Sequence, residues 1–160
     1  MGVGKSTIGK KLAKRLGYTF IDLDDVFELK YKLSVNTFFN KYGENLFREL
    51  ESKILEATIS MDKTIISTGG GTPVYYNGID LINKNGTSVY LKMSLNNLVK
   101  RLMEAKKPRP LVQDKSHDEL SEVVKVLMEK RQNTYEKANI IFDANKPDIE
   151  QLVKLLITHG

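Results

Sequence analysis

The chain begins with the stretch Met1-Gly2-Val3-Gly4-Lys5-Ser6-Thr7, which matches the second half of the phosphate-binding pattern G-x-x-x-x-G-K-[ST]. Glycine lets consecutive backbone N–H groups point at phosphate oxygens, lysine supplies a point charge for the β- and γ-phosphates, and the serine hydroxyl can ligate Mg²⁺. The helix that follows adds the positive end of its dipole. The stretch therefore predicts a nucleotide-phosphate site at the start of a helix.

The first glycine of this pattern would fall five residues before Gly4, ahead of Met1. The apolar strand that normally leads into such a loop would also lie ahead of Met1. We therefore expect the sequence to be an incomplete chain, or one whose start was set at an internal methionine.

Composition narrows the class of protein. With 160 residues, 41% of them hydrophobic and 28% charged, the chain predicts one globular domain over 1–160. It has no cysteine and only two histidines, which excludes thiol catalysis and histidine-built metal centres. No run of residues is apolar enough for a membrane span and no signal peptide is recognisable, so we expect a cytoplasmic protein. The net charge of +5 fits an anionic small substrate or nucleic acid.

Short apolar runs alternate with amphipathic segments along the chain. This alternation predicts an α/β fold with a parallel sheet between helices, and ligands bind beyond the carboxyl ends of such strands. The glycines of the first loop, Asp22 with Asp24, and Gly69-Gly70-Gly71 all follow such positions, so we expect them to share one crevice. Strands are predicted at 18–23, 64–67, 88–93 and 139–142, and helices at 7–16, 25–31, 34–42, 44–60, around 81–82, and at 94–103, 118–137 and 148–157.

Two acidic residues and one arginine are candidates for chemistry on their own pattern. Asp22 and Asp24 are two residues apart at a strand end, so they are expected to point to the same side; one could serve Mg²⁺ and the other accept a hydroxyl proton. Arg48 lies between Glu44 and Glu51 at helical spacing, which suits either a surface ion-pair ladder or a bidentate clamp on a carboxylate.

A polar connection over 104–117 is the candidate lid. It has no apolar periodicity, and it holds Arg109 between two prolines. An arginine on a closing loop can reach a transferring phosphate, although a basic surface loop would have the same composition. Arg131 lies four residues before Tyr135 on a predicted helix. On this pattern alone, we expect it to be a solvent-exposed helix arginine.

Taken together, these motifs closely resemble those of shikimate kinases, over essentially the whole chain except its front. The G-E-x-x-F-R-x-x-E and T-G-G-G pair in this order is specific to that family and its near relatives. The motifs that carry the resemblance are, in chain order, Gly4-Lys5-Ser6-Thr7, Ile21-Asp22-Leu23-Asp24, Gly43-Glu44-x-x-Phe47-Arg48-x-x-Glu51, Thr68-Gly69-Gly70-Gly71, Arg109-Pro110-Leu111 and Arg131-x-x-x-Tyr135.

The resemblance implies a three-layer P-loop kinase fold. Its parallel five-stranded sheet would have the order 2-3-1-4-5, with the first strand absent from this chain, acceptor-binding helices at about 25–60 and a lid at about 104–117. It implies transfer of the ATP γ-phosphate to the 3-hydroxyl of shikimate with Mg²⁺. It also implies a monomer whose partners are ATP and shikimate, without nucleic acid or membrane.

The resemblance also implies roles for individual residues. Lys5, Asp24 and Arg109 would be catalytic, with Asp24 binding the shikimate hydroxyls and acting as base or orienter. Arg48 and Arg131 would clamp the shikimate carboxylate. The remaining roles would be ATP binding by Gly2, Val3, Gly4, Lys5, Ser6, Thr7, Arg101, Arg109, Lys146 and Pro147, Mg²⁺ binding by Ser6 and, through water, Asp22, and substrate contact by Phe39, Phe47, Gly69, Gly70 and Gly71.

Three other functions compete with this interpretation. The first is another small-molecule kinase of the same fold, such as a gluconate or nucleotide kinase; two arginines near Asp24 would disfavour a neutral sugar. The second is a nucleic-acid-binding module, which would need clustered bases between exposed aromatic residues, whereas the lysines here are scattered. The third is a non-catalytic ATP-binding module. The residues present fill every expected polar role, which argues against a loss of catalysis.

Overall fold

The computed structural model describes residues 2–104 and 115–159, so Arg109 and most of the predicted lid lie outside the described residues. Helices and strands alternate as predicted, with boundaries shifted by a few residues. In chain order the elements are α1 (Lys5–Leu16), β1 (Thr19–Asp22), α2 (Leu23–Tyr31), α3 (Val35–Tyr42), α4 (Glu44–Ala57), β2 (Thr64–Ser67), α5 (Gly78–Asn85), β3 (Val89–Lys92), α6 (Leu95–Met103), α7 (His117–Tyr135), β4 (Ile140–Asp143) and α8 (Ile149–His159).

Helix ends follow local sequence signals. Ser34 begins α3 by accepting a hydrogen bond from the Thr37 N–H, and α1 ends at Gly17 in the left-handed conformation. Ser116 begins α7 with a reciprocal capping box that includes Glu119. No helix in the described ranges is long and apolar enough to cross a membrane.

The described strands form two separate parallel pairs. β1 pairs with β2 from Thr19 opposite Thr64 to Asp22 opposite Ser67, and β3 pairs with β4. In the predicted order 2-3-1-4-5, strand 1 is the one expected to be absent from this chain, so β1 to β4 correspond to strands 2 to 5. The two observed pairs, 2-3 and 4-5, are the pairs that this order places on either side of its central strand. The described residues contain no strand at the centre, so the five-stranded sheet itself is not observed.

A cavity of about 370 Å³ separates the two strand pairs. Among the described residues, β2 and β3 each have a strand neighbour on one side only, and both border this cavity. An unpaired strand edge offers N–H and C=O groups to another strand. Most of the side chains around the cavity are apolar, among them Ile8, Leu12, Ile65, Ile66, Val89 and Leu91.

Filling this cavity with a strand should stabilise the fold. We expect a variant with about five β-branched residues appended before Met1 to melt roughly 4–8 °C higher, which corresponds to about 2 kcal/mol in a chain of this size. Each buried apolar side chain contributes about 1.5–3 kcal/mol, and ordering the backbone costs about 1–2 kcal/mol per residue. The control is a Gly/Ser extension of equal length; equal melting temperatures for the two would contradict strand insertion.

The core consists of two clusters of buried side chains. One joins α1 to α6, α7, α8 and the β3–β4 pair; it includes Leu12, Leu102, Leu120 and Phe142. The other lies among α2, α3 and α4 and is mostly aromatic at its centre, where the Phe27 ring contacts three neighbouring rings. The second cluster supports the helices that were predicted to bind the acceptor.

Candidate active site

The first loop has the backbone that a phosphate site requires. Gly2 and Gly4 have φ of 72° and 95°, in the left-handed region that favours glycine. Helix α1 begins at Lys5, so the positive end of its dipole lies at this loop, where an anion can bind. The Arg101 Nη1 atom on α6 donates to the Val3 carbonyl at 2.9 Å. A residue predicted to lie beside the nucleotide thus contacts the loop directly.

An acidic side chain at the end of β1 contacts the phosphate loop. The Ser6 hydroxyl donates to Asp22 Oδ2 at 2.6 Å, and Asp22 Oδ1 accepts from the Asp24 N–H at 3.2 Å. The prediction that the two aspartates share a strand face is wrong in its premise, because α2 begins at Leu23 and places Asp24 in its first turn. Asp22 is the cap of that helix, and both carboxylates still face the start of α1: Asp22 contacts Ser6, and the Lys5 charge acts on Asp24.

The surroundings of Asp24 disfavour its charged form. The residue is accessible to solvent, but the protein around it removes part of the hydration of the carboxylate, and this desolvation raises the pKa of Asp24. The charges of Asp22 and Glu51 raise the pKa further, while the Lys5 charge opposes them. A raised pKa is expected of a carboxylate that accepts a proton during a reaction.

Arg48 is a buried cation, with 9% of its surface exposed. Its Nη1 donates to Glu51 Oε2 at 2.7 Å, and its Nη2 lies 3.0 Å from Glu44 Oε1. Desolvation alone would lower the pKa of Arg48, but its hydrogen bonds and charge pairing with Glu51 and Glu44 raise it. The predicted ion-pair ladder therefore exists, yet it is buried at Glu51, where such a pair fixes a guanidinium in one orientation.

Aromatic rings surround the Arg48 guanidinium. Its Cζ lies 5.4 Å from the ring centre of Phe39, 5.0 Å from that of Phe47 and 4.8 Å from that of Tyr75. Rings at this distance attract a cation and shield it from water. Phe39 and Phe47 were predicted to form the pocket wall, and the structure places both against Arg48.

The glycine loop after β2 lies where these groups meet. An ideal Cβ on Gly69 would lie 2.5 Å from Glu51 Oε1 and 3.5 Å from Asp24 Oδ1. A Cβ on Gly71 would overlap the Arg48 guanidinium. Side chains therefore have no room at these two positions, and the backbone approaches the charged groups directly. The phosphate loop, the two aspartates and the glycine loop therefore lie next to one another, as the strand ends predicted.

Comparisons with known proteins place this arrangement in one family. The sequence profile of shikimate kinase matches residues 1–159. The chain belongs to the shikimate kinase family. A shikimate kinase of Parabacteroides distasonis is 43% identical over 146 residues, covering 91% of this chain and 84% of the relative. One from Azobacteroides pseudotrichonymphae is 40% identical, covering 98% of this chain and 93% of the relative.

Solved structures of shikimate kinases share the fold. The crystal structure of the Bacteroides thetaiotaomicron shikimate kinase superposes with a TM-score of 0.94 at 36% identity, covering 98% of this chain and 94% of that one. The Acinetobacter baumannii shikimate kinase, solved in complex with shikimate, superposes with a TM-score of 0.89 at 27% identity, covering 100% of this chain and 90% of that one. The α/β P-loop kinase fold predicted from the sequence is confirmed.

Three other residues that the shikimate kinase resemblance selected, Arg131, Lys146 and Pro147, lie outside the group formed by Asp24, Arg48 and the glycine loop. Arg131 on α7 is half-buried and borders the cavity between the strand pairs together with Gly69 and Gly70, whereas Arg48 does not line that cavity. Lys146 and Pro147 are exposed. Their neighbour Asn145 accepts hydrogen bonds from the Ser94 N–H and from Asn97, which ties this segment to the start of α6, the helix that carries Arg101.

Three functional candidates were missed in the sequence. Glu51 has 4% of its surface exposed and accepts from both Arg48 and the Thr72 hydroxyl, the latter at 2.6 Å. Tyr135 donates its hydroxyl hydrogen to the Gly70 carbonyl. Glu51 and Tyr135 belong to the G-E-x-x-F-R-x-x-E and R-x-x-x-Y motifs, three residues after Arg48 and four after Arg131. That helical spacing, which places each on the same helix face as an arginine, could have identified them. Nothing in the local sequence singled out Thr72.

Proposed function

We propose that this shikimate kinase family member transfers the γ-phosphate of ATP to the 3-hydroxyl of shikimate, giving shikimate 3-phosphate and ADP. The observation that carries the proposal is the position of Gly69-Gly70-Gly71. The loop lies between two groups: Gly71 is against the buried Arg48 guanidinium, and Gly69 is close to the Asp24 carboxylate, which lies beside the phosphate loop. An anionic, hydroxylated acceptor bound there would be adjacent to a phosphate donor.

The acceptor pocket suits a carboxylate with neighbouring hydroxyls. Arg48 provides the planar donor fork that fits a carboxylate bidentately, and Arg131 would add a second cation. Asp24 would accept hydrogen bonds from the hydroxyls and act as base or orienter for the attacking one. N–H groups of the glycine loop would donate to the substrate, with Phe39 and Phe47 against its ring.

The phosphate side would bind ATP with Mg²⁺. Residues Gly2 to Thr7 would surround the phosphates, with Lys5 on the β- and γ-phosphates, and Arg101 and the segment Lys146–Pro147 would lie beside the adenine. Arg109 would come from the lid. The 2.6 Å contact of Ser6 with Asp22 offers the oxygen ligands that Mg²⁺ prefers, since this ion takes one or two protein oxygens besides phosphates and water. When bound, Mg²⁺ neutralises charge on the transferred phosphate.

In this arrangement the protein residues act mainly by position and charge. Phosphoryl transfer needs little covalent chemistry from the protein, so alignment and electrostatic stabilisation dominate. The Lys5 ammonium would stabilise charge on the phosphate oxygens, and Asp24 would hold the acceptor hydroxyl in line and take its proton. Arg48 would keep the acceptor from rotating.

A transfer assay with a panel of acceptors tests this function. Protein, ATP and Mg²⁺ would be incubated with shikimate, gluconate or a nucleoside monophosphate, and the phosphorylated product identified by mass spectrometry. Of the three acceptors, we expect only shikimate to be phosphorylated. Turnover of gluconate or of a nucleotide in its place would support the other kinases of this fold, and ATP binding without any product would support a non-catalytic module.

Replacing Arg48 should selectively weaken acceptor binding. In Arg48→Ala, a bidentate charge-assisted contact is lost, so we expect shikimate to bind about 10- to 150-fold more weakly, or roughly 1.5–3 kcal/mol. The affinity for an ATP analogue should change little, because Arg48 lies on α4, away from the phosphate loop. Isothermal titration calorimetry of both ligands measures the difference.

Two further variants separate binding from folding. Arg48→Ala leaves Glu51 buried without its cation, so the variant should also unfold more easily. Arg48→Lys keeps the charge while removing the planar fork, so it should keep more stability and still lose shikimate affinity. Lys53→Ala breaks the exposed Lys53–Glu49 pair on the same helix and should change neither. Equal losses for both ligands in Arg48→Ala would identify Arg48 as purely structural.

A further inference from the structure

The Tyr135 hydroxyl on α7 donates to the Gly70 carbonyl, across 65 positions of the chain. The Tyr135 ring packs against Tyr90 of β3, with ring centres 5.2 Å apart and planes tilted by 45°. Tyr135 is partly buried, as is Gly70. This hydrogen bond is the direct polar link that the described residues make between α7 and the glycine loop.

The geometry of the peptide bond converts this contact into a constraint on a neighbouring donor. The Gly70 carbonyl and the Gly71 N–H belong to one peptide group, which is trans, so they point in opposite directions. When Tyr135 holds the carbonyl, the N–H is turned to the opposite face of the loop. Gly71 is also the residue whose backbone approaches the Arg48 guanidinium.

Without such a tether the peptide group would be free to rotate. Rotation changes ψ of Gly70 and φ of Gly71, and glycine populates the alternative values with little penalty. A peptide between two glycines therefore has no side-chain preference for one orientation. A loop that must present its N–H to a ligand then requires a partner for the carbonyl.

We propose that Tyr135 is a positioning residue for the acceptor, which selects the orientation of the 70–71 peptide and so directs the Gly71 N–H toward the acceptor pocket. This inference rests on the proposed function, because the acceptor is taken to be shikimate. Tyr135 does not touch the acceptor. It acts through Gly70, and it joins the glycine loop to the helix that carries Arg131, one turn earlier.

The test compares Tyr135→Phe with Tyr90→Phe. Both variants keep their ring and lose one hydroxyl, and the Tyr90 hydroxyl makes no hydrogen bond with the part of the chain that the structure describes. We expect Tyr135→Phe to raise the shikimate KM and dissociation constant by roughly 3- to 10-fold, the worth of one neutral hydrogen bond. Its ATP-analogue affinity should match that of wild type, its melting temperature should fall by no more than about 1–6 °C because the free protein also loses this hydrogen bond, and Tyr90→Phe should match wild type throughout.

A second measurement does not depend on the ligand. The amide resonance of Gly71 in the NMR spectrum of the free protein should shift or broaden in Tyr135→Phe and stay in place in Tyr90→Phe. An unchanged Gly71 resonance would overturn the tether, and so would shikimate affinity equal to that of wild type. Failure of the proposed function looks different, since the wild-type protein would then not phosphorylate shikimate while the Gly71 resonance still responded.

Discussion

The Lys5→Met variant should keep its fold and transfer phosphate about 10²–10³-fold more slowly. The loss reflects a preorganised charge aimed at the transferring phosphate, whose removal raises the transition state more than the bound substrates. The melting temperature should change little, because loss of the Lys5–Asp24 attraction lowers stability while removal of a positive charge from the first turn of α1, where the helix dipole disfavours it, raises stability. Steady-state kcat and the melting temperature measure the two effects.

The same variant should change the pH dependence of the reaction. The Lys5 charge opposes the rise of the Asp24 pKa, so its removal raises that pKa further. The acid limb of the pH–rate profile should therefore move to higher pH in Lys5→Met. Lys11→Met, which removes a charge from the exposed face of the same helix, is the matched control and should leave both rate and profile unchanged. A wild-type kcat in Lys5→Met would remove Lys5 from the mechanism.

The order and type of the elements could be predicted because the local signals agree with the tertiary fold. Helix α3, for example, has Ser34 at its start and Gly43 at its end, and β2 is a β-branched run that leads into glycines. The pairing of β1 with β2 and of β3 with β4 follows the strand order that the resemblance implied. A central strand could not be confirmed, since no described residue forms one.

Contacts between distant residues were harder to predict than the residues themselves. Arg48 was selected from its helix, but its burial depends on Tyr75, which approaches it from a separate loop. Thr72 and Tyr135 gained their roles only when the fold brought them to Glu51 and Gly70. Such hydrogen bonds join positions 21 and 65 residues apart, a separation at which helix and strand periodicity carry no information.

The Asp24→Asn variant should lose most of its activity, with kcat lower by about 10²-fold or more. A carboxylate that takes or orients a proton in the transition state contributes on this scale, and an amide cannot accept that proton. The Asp24 charge also interacts with that of Lys5 in the phosphate loop, so its removal disturbs the acceptor and phosphate sides together. A pre-steady-state measurement of the transfer step would separate this loss from any change in product release.

The same substitution should make the protein more stable at neutral pH. The folded-state pKa of Asp24 lies above its ordinary value of 3.8, so the folded state retains the proton to higher pH than the unfolded chain does. The free energy of unfolding therefore falls as pH rises between these two pKa values, and at pH 7 the charged Asp24 destabilises the fold. Asp24→Asn removes that cost, and its advantage should vanish below about pH 3.8, where both states are protonated.

Asp25→Asn is the matched control, because Asp25 is exposed on the same helix and makes no hydrogen bond or ion pair within the described residues. Urea unfolding of the three proteins at pH 3 and pH 7 would show a gain for Asp24→Asn at pH 7 alone. A gain of equal size at both pH values would mean that shape or hydrogen bonding, rather than the raised pKa, stabilises the variant. An active and more stable Asp24→Asn would show that the Asp24 carboxylate serves no step of the transfer, because its charge would then lower stability without contributing to catalysis.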